Sequence, residues 1–319
     1  MTKHGSHIGG LDFIRFFAAV AVMLLHLAVV SWAAVGGLNY SLAYAPQYPA
    51  LDFLRVGWVG VQTFFVLSGF VIARSASGST AYKFLRGRAG RLIPAVWITA
   101  ILTTTVILIL NLKDRHTAFA DLARTLFFEP RGPWVSGVFW TLQIEITFYG
   151  LIFALLLLGQ LKHIEKAAHV LAVSSAIYLI GRAFFGLPAV SEHLLLEHGC
   201  FFALGIYVWA IFQYGNSLIR WLMVAVTIGA GIIQIEFLAL GTLAGYDAVA
   251  APLLWIASIL AIWISATFPS RGNSVTRRLG LMTYPIYLVH PVIGSAILRV
   301  SPWVGNYAAL ATAIGARTG

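Results

Sequence analysis

The sequence predicts an all-α, polytopic integral membrane protein with about ten transmembrane helices and both termini in the cytoplasm. Three observations lead there. Of the 319 residues, 60% are hydrophobic and only 10% charged, whereas soluble domains are about a quarter charged. Mean hydropathy is +0.86. The apolar residues fall into ten runs, at about 11–35, 56–74, 92–111, 138–158, 167–185, 195–213, 218–240, 247–268, 281–299 and 303–316, and roughly 20 apolar residues span a bilayer. The chain reads as one transmembrane domain over 1–319, its last run short for a span.

The loops set the orientation. With the N-terminus inside, 13 of the 21 Lys and Arg fall in inner loops, seven in outer loops, and Arg15 sits at the foot of the first run. An excess of Lys and Arg marks cytoplasmic loops. The net charge of +10 therefore points to anionic membrane lipids and not to nucleic acid, for which no basic and aromatic module is present. The longest connections, 36–55 and 112–137, fall outside. Their rings (Tyr40, Tyr44, Tyr48, Phe127, Phe128, Trp134) suit an interfacial belt or a platform for sugar faces. The single cysteine, Cys200, excludes an intramolecular disulfide framework, and its apolar surroundings suit inert packing. The apolar stretch from Phe16 to Val35 exceeds a signal-peptide core, so it is expected to remain as the first span.

Ionisable groups in hydrocarbon are costly and usually mark a functional path. Run one carries two, Arg15 and His26. Eleven positions apart, they lie within about 20° of one helix face and roughly 16 Å apart along the axis. Run two contains Phe64 to Phe70, where Gly57, Gly60 and Gly69 permit close helix approach. Its Ser68 is a hydrogen-bond donor, to a substrate or to a neighbouring carbonyl. Run three is entered through Arg86, Arg88 and Arg91, followed by Pro94. Arg88 and Arg91 share a face, guanidinium forks suit phosphates, and a helix start there adds a favourable dipole, with Pro94 in the first turn.

Run four places Glu145 roughly 10 Å below the outer surface, about the depth His26 reaches from inside. The two are expected to face each other as base and orienting carboxylate; a partner for Arg15 is the plainer role for Glu145. Before run six, Glu192-His193 and Glu197-His198 look like metal-ligand pairs. A spacing of five turns the histidines about 140° apart, so no metal site is expected. Glu236, near the outer end of run seven, reads as interfacial. Run nine ends in Tyr287 and, one turn later, His290.

Together these stretches resemble the membrane-bound acyltransferase family 3, of the bacterial O-acetyltransferase type without a fused extracellular hydrolase-like domain. Arg15 and His26 match its Arg, ten residues, His. Phe64 to Phe70 match its Phe-Phe-Val-Leu-Ser-Gly-Phe, and Arg88, Arg91 and Pro94 its Arg-x-x-Arg with a following proline. Trp140 to Glu145 match Trp-Ser/Thr-Leu-x-x-Glu, and Thr283 to His290 match Ser/Thr-Tyr-x-Ile-Tyr-Leu-x-His. Ile146, where such proteins often carry a second acid or a small residue, departs from the pattern.

The resemblance covers essentially the whole chain. It implies a bacterial inner-membrane enzyme that moves an acyl group, usually acetyl, from cytoplasmic acetyl-CoA to a hydroxyl of a carbohydrate or glycolipid acceptor, without a metal. On that reading His26 and Glu145 are catalytic. Arg15, Arg86, Arg88 and Arg91 hold the CoA phosphates, and Ser68, Tyr149, Tyr287 and His290 are candidates for substrate or oxyanion contacts. The competing class is a secondary transporter or flippase for a glycolipid, because intramembrane Arg, His and Glu also serve ion coupling. The related halves common in transporters are not found in this sequence.

Overall fold

The computed structural model describes residues 8–30, 51–242, 249–269, 272–300 and 314–315. Helix α1 (Gly9–Leu25) passes into a π-helical turn (His26–Val30). A 3-10 turn (Asp52–Trp58) leads into α2 (Val59–Ala76), followed by α3 (Ala81–Ile109) and the short α4 (Arg115–Leu126). Then come α5 (Phe139–Leu157), α6 (Ile164–Phe185), α7 (Gly199–Tyr214), α8 (Leu218–Thr242) and α9 (Ala250–Thr267). Helix α10 (Ser274–Val289) ends in a second π-helical turn (His290–Gly294) and continues as α11 (Ser295–Val300).

The all-α reading holds. Eight helical stretches are long and apolar enough to cross a membrane, and α7 is a ninth, shorter apolar helix. The tenth run, and the ring-bearing part of the 36–55 loop, lie outside the described residues apart from 51–55 and 314–315.

Two elements differ from expectation. Helix α3 starts at Ala81, where Thr80 caps it by accepting from the Lys83 N–H at 3.2 Å. Arg88 and Arg91 are therefore two to three turns inside the helix, and the dipole at its start does not reach them. Pro94 likewise lies in the helix interior, where its missing N–H leaves the Gly90 carbonyl without its helical partner. The 112–137 connection, read as loop, contains α4. Asp114 caps it, accepting from the Thr117 N–H at 2.9 Å, an N-cap signal readable in the sequence. That hydrogen bond holds the Asp114 carboxyl below its ordinary pKa. Buried Asp121 takes Lys113 at 2.8 Å and Arg124 at 3.4 Å, and Trp97 of α3 donates to the Leu126 carbonyl.

Every residue of α7 from Gly199 to Ile211 is buried, as expected of a helix apolar all round. Cys200 is among them, a buried free thiol. Lipid is as apolar as leucine, so helices in a membrane associate through close packing rather than hydrophobic driving force. Here α2 meets α7 backbone to backbone. A Cβ on Gly205 would lie 2.1 Å from the Val66 carbonyl oxygen, and one on Gly69 2.2 Å from that of Phe202.

Gly205→Ala is therefore expected to destabilise the bundle by roughly 1–3 kcal/mol through overpacking. Gly229→Ala, where an added Cβ meets nothing within 4 Å, is expected to leave it unchanged. Thermal unfolding of both variants in detergent, read by loss of helical circular dichroism, checks the difference.

Candidate active site

Five helices line a cavity of about 60 Å³. From α2 come Phe64, Phe65 and Ser68; from α5, Thr141, Glu145 and Tyr149; from α10, Thr283, Tyr284 and Tyr287; from α3, Arg88 and Arg91; from α1, Arg15. The spacings of three and four put each set on one helix face. The sequence-predicted Arg15, Ser68, Arg88, Arg91, Glu145, Tyr149 and Tyr287 are thus brought together, although they come from helices spread over 270 positions of the chain.

The centre of the cavity is a carboxylate. Ser68 donates to Glu145 Oε1 at 2.5 Å, and Tyr149, one turn along α5, faces the same group. Ser68 thereby gives its one hydroxyl proton to Glu145. Arg88 lies 6.0 Å from the Tyr149 ring centroid and 5.7 Å from that of Phe84, and its Nε is buried without a hydrogen-bond partner. Arg15 donates to Asp12 at 3.3 Å. Asp12 itself is seated against Gly280 of α10, where a Cβ would come within 2.7 Å of the Asp12 carboxyl carbon. Three guanidinium groups thus line the cavity with one carboxylate. Arg86 is exposed and absent from the lining. It lies two positions from Arg88, on a different side of α3.

His26 does not take the position expected opposite Glu145. Its Nδ1 lies 2.8 Å from the Val22 carbonyl oxygen, and its ring meets His290 with centroids 4.8 Å apart at 66°. The two π-helical turns pack on each other, and each opens on one of these histidines. The pair reaches the cavity through Tyr287, whose ring is 5.8 Å from His290 and whose hydroxyl is 3.0 Å from Thr141 Oγ1. His26 and Glu145, expected at one depth, have different neighbours in the structure.

The other acidic and histidine pairs are used elsewhere. Arg182 binds Glu197 at 2.9 Å. His193 joins the Pro130 carbonyl to Thr147, and His198 packs against Phe65 and Trp140. Among the described residues no group of three or more His, Cys, Asp and Glu could hold a metal ion. Sequence reasoning missed Asp12, Thr141, Thr283 and Tyr284. Asp12 had a signal in its spacing of three from Arg15, and Thr141, Thr283 and Tyr284 had theirs in the stretches Trp140 to Glu145 and Thr283 to His290.

An acyltransferase-domain family model matches residues 8–313. The chain is 26% identical over 346 residues to Nodulation protein 10 of Rhizobium leguminosarum bv. viciae, covering 96% of this chain and 88% of the relative. It is 25% identical over 336 residues to the O-acetyltransferase OatA of Staphylococcus aureus, covering 90% of this chain and 51% of OatA. A Bacillus subtilis relative, YrhL, provisionally named a peptidoglycan O-acetyltransferase, is 26% identical over 253 residues, 68% of this chain and 36% of YrhL. The chain thus spans most of the first relative but only about half and a third of the other two. No solved structure matches it.

Removing the Ser68 hydroxyl leaves a carboxylate oxygen inside the bundle short of a donor, which costs roughly 1–3 kcal/mol. Ser68→Ala is expected to lower the thermal midpoint in detergent. Ser68→Thr, which keeps the hydroxyl, is expected to lose less, and equal losses in the two variants would remove the hydrogen bond from the account.

Proposed function

The chain belongs to the acyltransferase domain family, and as an acyltransferase of that family, we propose, it moves an acetyl group from cytoplasmic acetyl-CoA to a hydroxyl of a carbohydrate or glycolipid acceptor, at the bacterial inner membrane. The observation that carries this reading is the excess of guanidinium in the cavity: Arg15, Arg88 and Arg91 beside a single lining carboxylate, Glu145. Such a site favours an anionic ligand. Guanidinium forks bind phosphate bidentately, and CoA is the phosphate-bearing carrier of acyl groups. The charge bias of the loops, which puts the N-terminal foot of α1 inside, supports entry of the donor from the cytoplasm. The relatives named as O-acetyltransferases support acetyl as the group and a hydroxyl as its target, and the name of YrhL supports a carbohydrate.

In the proposed reaction the arginines hold the CoA phosphates, and the pantetheine arm carries the thioester toward the histidines. Nδ1 of His26 faces a carbonyl oxygen, which only accepts, so in the neutral ring Nδ1 carries the hydrogen and Nε2 the lone pair. His26 Nε2 takes the acceptor hydroxyl proton, and the alkoxide oxygen forms a bond to the thioester carbon. The C–S bond then breaks, and the thiolate leaves as CoA thiol with the proton held by His26. Glu145, fixed by Ser68, balances part of the arginine charge and keeps Tyr149 at the cavity wall. It is the second catalytic candidate.

Acetyl transfer in membranes containing inserted protein tests the reading. His26→Ala is expected to lose at least a hundredfold in kcat, in line with the worth of a general base; full activity would remove His26 as the base. Arg88→Ala is expected to raise the KM for acetyl-CoA about tenfold or more, since a charge-assisted hydrogen bond contributes roughly 1.5–3 kcal/mol. An unchanged KM would remove its phosphate contact.

A further inference from the structure

Both π-helical turns begin at a histidine, His26 after α1 and His290 after α10. Such turns recur at functional sites. The residue after His290 is Pro291, which has no N–H, so the carbonyl four residues earlier, that of Tyr287, loses its helical partner. His290 supplies the replacement: its Nδ1 lies 2.9 Å from the Tyr287 carbonyl oxygen. A carbonyl only accepts, so the hydrogen sits on Nδ1 and the Nε2 of His290 carries a lone pair. The sequence pair His290-Pro291 thus fixes a tautomer. The ring so fixed is buried and stands 4.8 Å from His26, edge to face.

From this we propose that His290 is a positioning residue for the transfer: its neutral, basic imidazole stabilises the His26 ring in the protonated form created when the acceptor hydroxyl gives up its proton. The proposal rests on the reading of His26 as the base. Glu145 accepts from Ser68 and faces Tyr149, whereas the His290 ring stands against that of His26. In a low-dielectric interior a new cation is costly, and the His290 ring stands 4.8 Å from that of His26. The same geometry accounts for the proline that directly follows the histidine in the π-helical turn after α10.

The test uses two replacements of His290 in the full-length protein, assayed for acetyl transfer in membranes beside the unaltered chain. His290→Phe keeps a ring and loses both nitrogens. His290→Asn places an amide N–H near the position of Nδ1, so it can still donate to the Tyr287 carbonyl while lacking Nε2. Both variants are expected to lose about tenfold or more in kcat with the KM for acetyl-CoA within twofold of the original. If His290 were only helix-to-helix packing, His290→Asn would keep its kcat within threefold; that result overturns the proposal, and so does a His290→Phe variant of unchanged kcat. Transfer absent from the unaltered chain overturns this proposal and the acetyltransferase reading together, whereas transfer present there but indifferent to both variants overturns this one alone.

Discussion

The arrangement depends on how three guanidinium groups are tolerated inside an apolar bundle. Charges interact far more strongly away from water, and a buried charge left alone is heavily destabilising. Each arginine is therefore accommodated differently. Arg15 has Asp12, and Asp12 needs the bare backbone of Gly280 to sit where it does. Arg88 lies near two aromatic rings, whose faces attract cations. Arg91 keeps its exposure. Glu145 offsets part of what is left, and the remainder is a standing demand for an anion. Helices α1, α3, α5 and α10 converge because of these pairings, so the electrostatics of the cavity and the packing of the bundle are one problem.

The helix irregularities answer a different need. An interior helix carbonyl keeps a second lone pair, which a side chain one turn on can use, as Thr99 does toward Ala95 and Thr147 toward Gln143. Where α1 and α10 end in π-turns, each histidine ring finds a carbonyl on its own helix. This fixes the ring and its tautomer. It is an economical way to keep two imidazoles oriented in a setting where a nearby acid would be drawn to the arginines instead.

Much of this was legible in the sequence because helices make spacing equivalent to position. The spans, the shared face of Arg88 and Arg91, and the polar character of the motif-bearing helices followed from spacing and hydropathy. Three things did not follow. Angles about separate helix axes are set by tertiary packing, so the equal depth expected of His26 and Glu145 did not make them neighbours. The start of α3 was hidden because the polar turns before its apolar run read as loop, and Thr80 as a cap went unused. Thr141, Thr283 and Tyr284 share helix faces with Glu145 and Tyr287 by spacing, but the direction in which those faces turn is set by packing between helices.

Helix α7 lines none of the cavity, yet the cavity's geometry runs through it. Ser68 and Gly69 are successive residues of α2, about 100° apart around its axis. One faces Glu145; the other lies against the Phe202 backbone of α7. The distance between α2 and α7 is fixed by contact of backbone with backbone, which leaves no soft side chain to absorb a shift. That rigid fit places the Ser68 hydroxyl within 2.5 Å of Glu145. A displacement of α2 by about 1 Å would break the hydrogen bond, and misplacement on that scale is enough to cost an enzyme roughly a hundredfold in rate. The glycines between α2 and α7 therefore belong to the site in the same sense as the carboxylate: they determine where it can act.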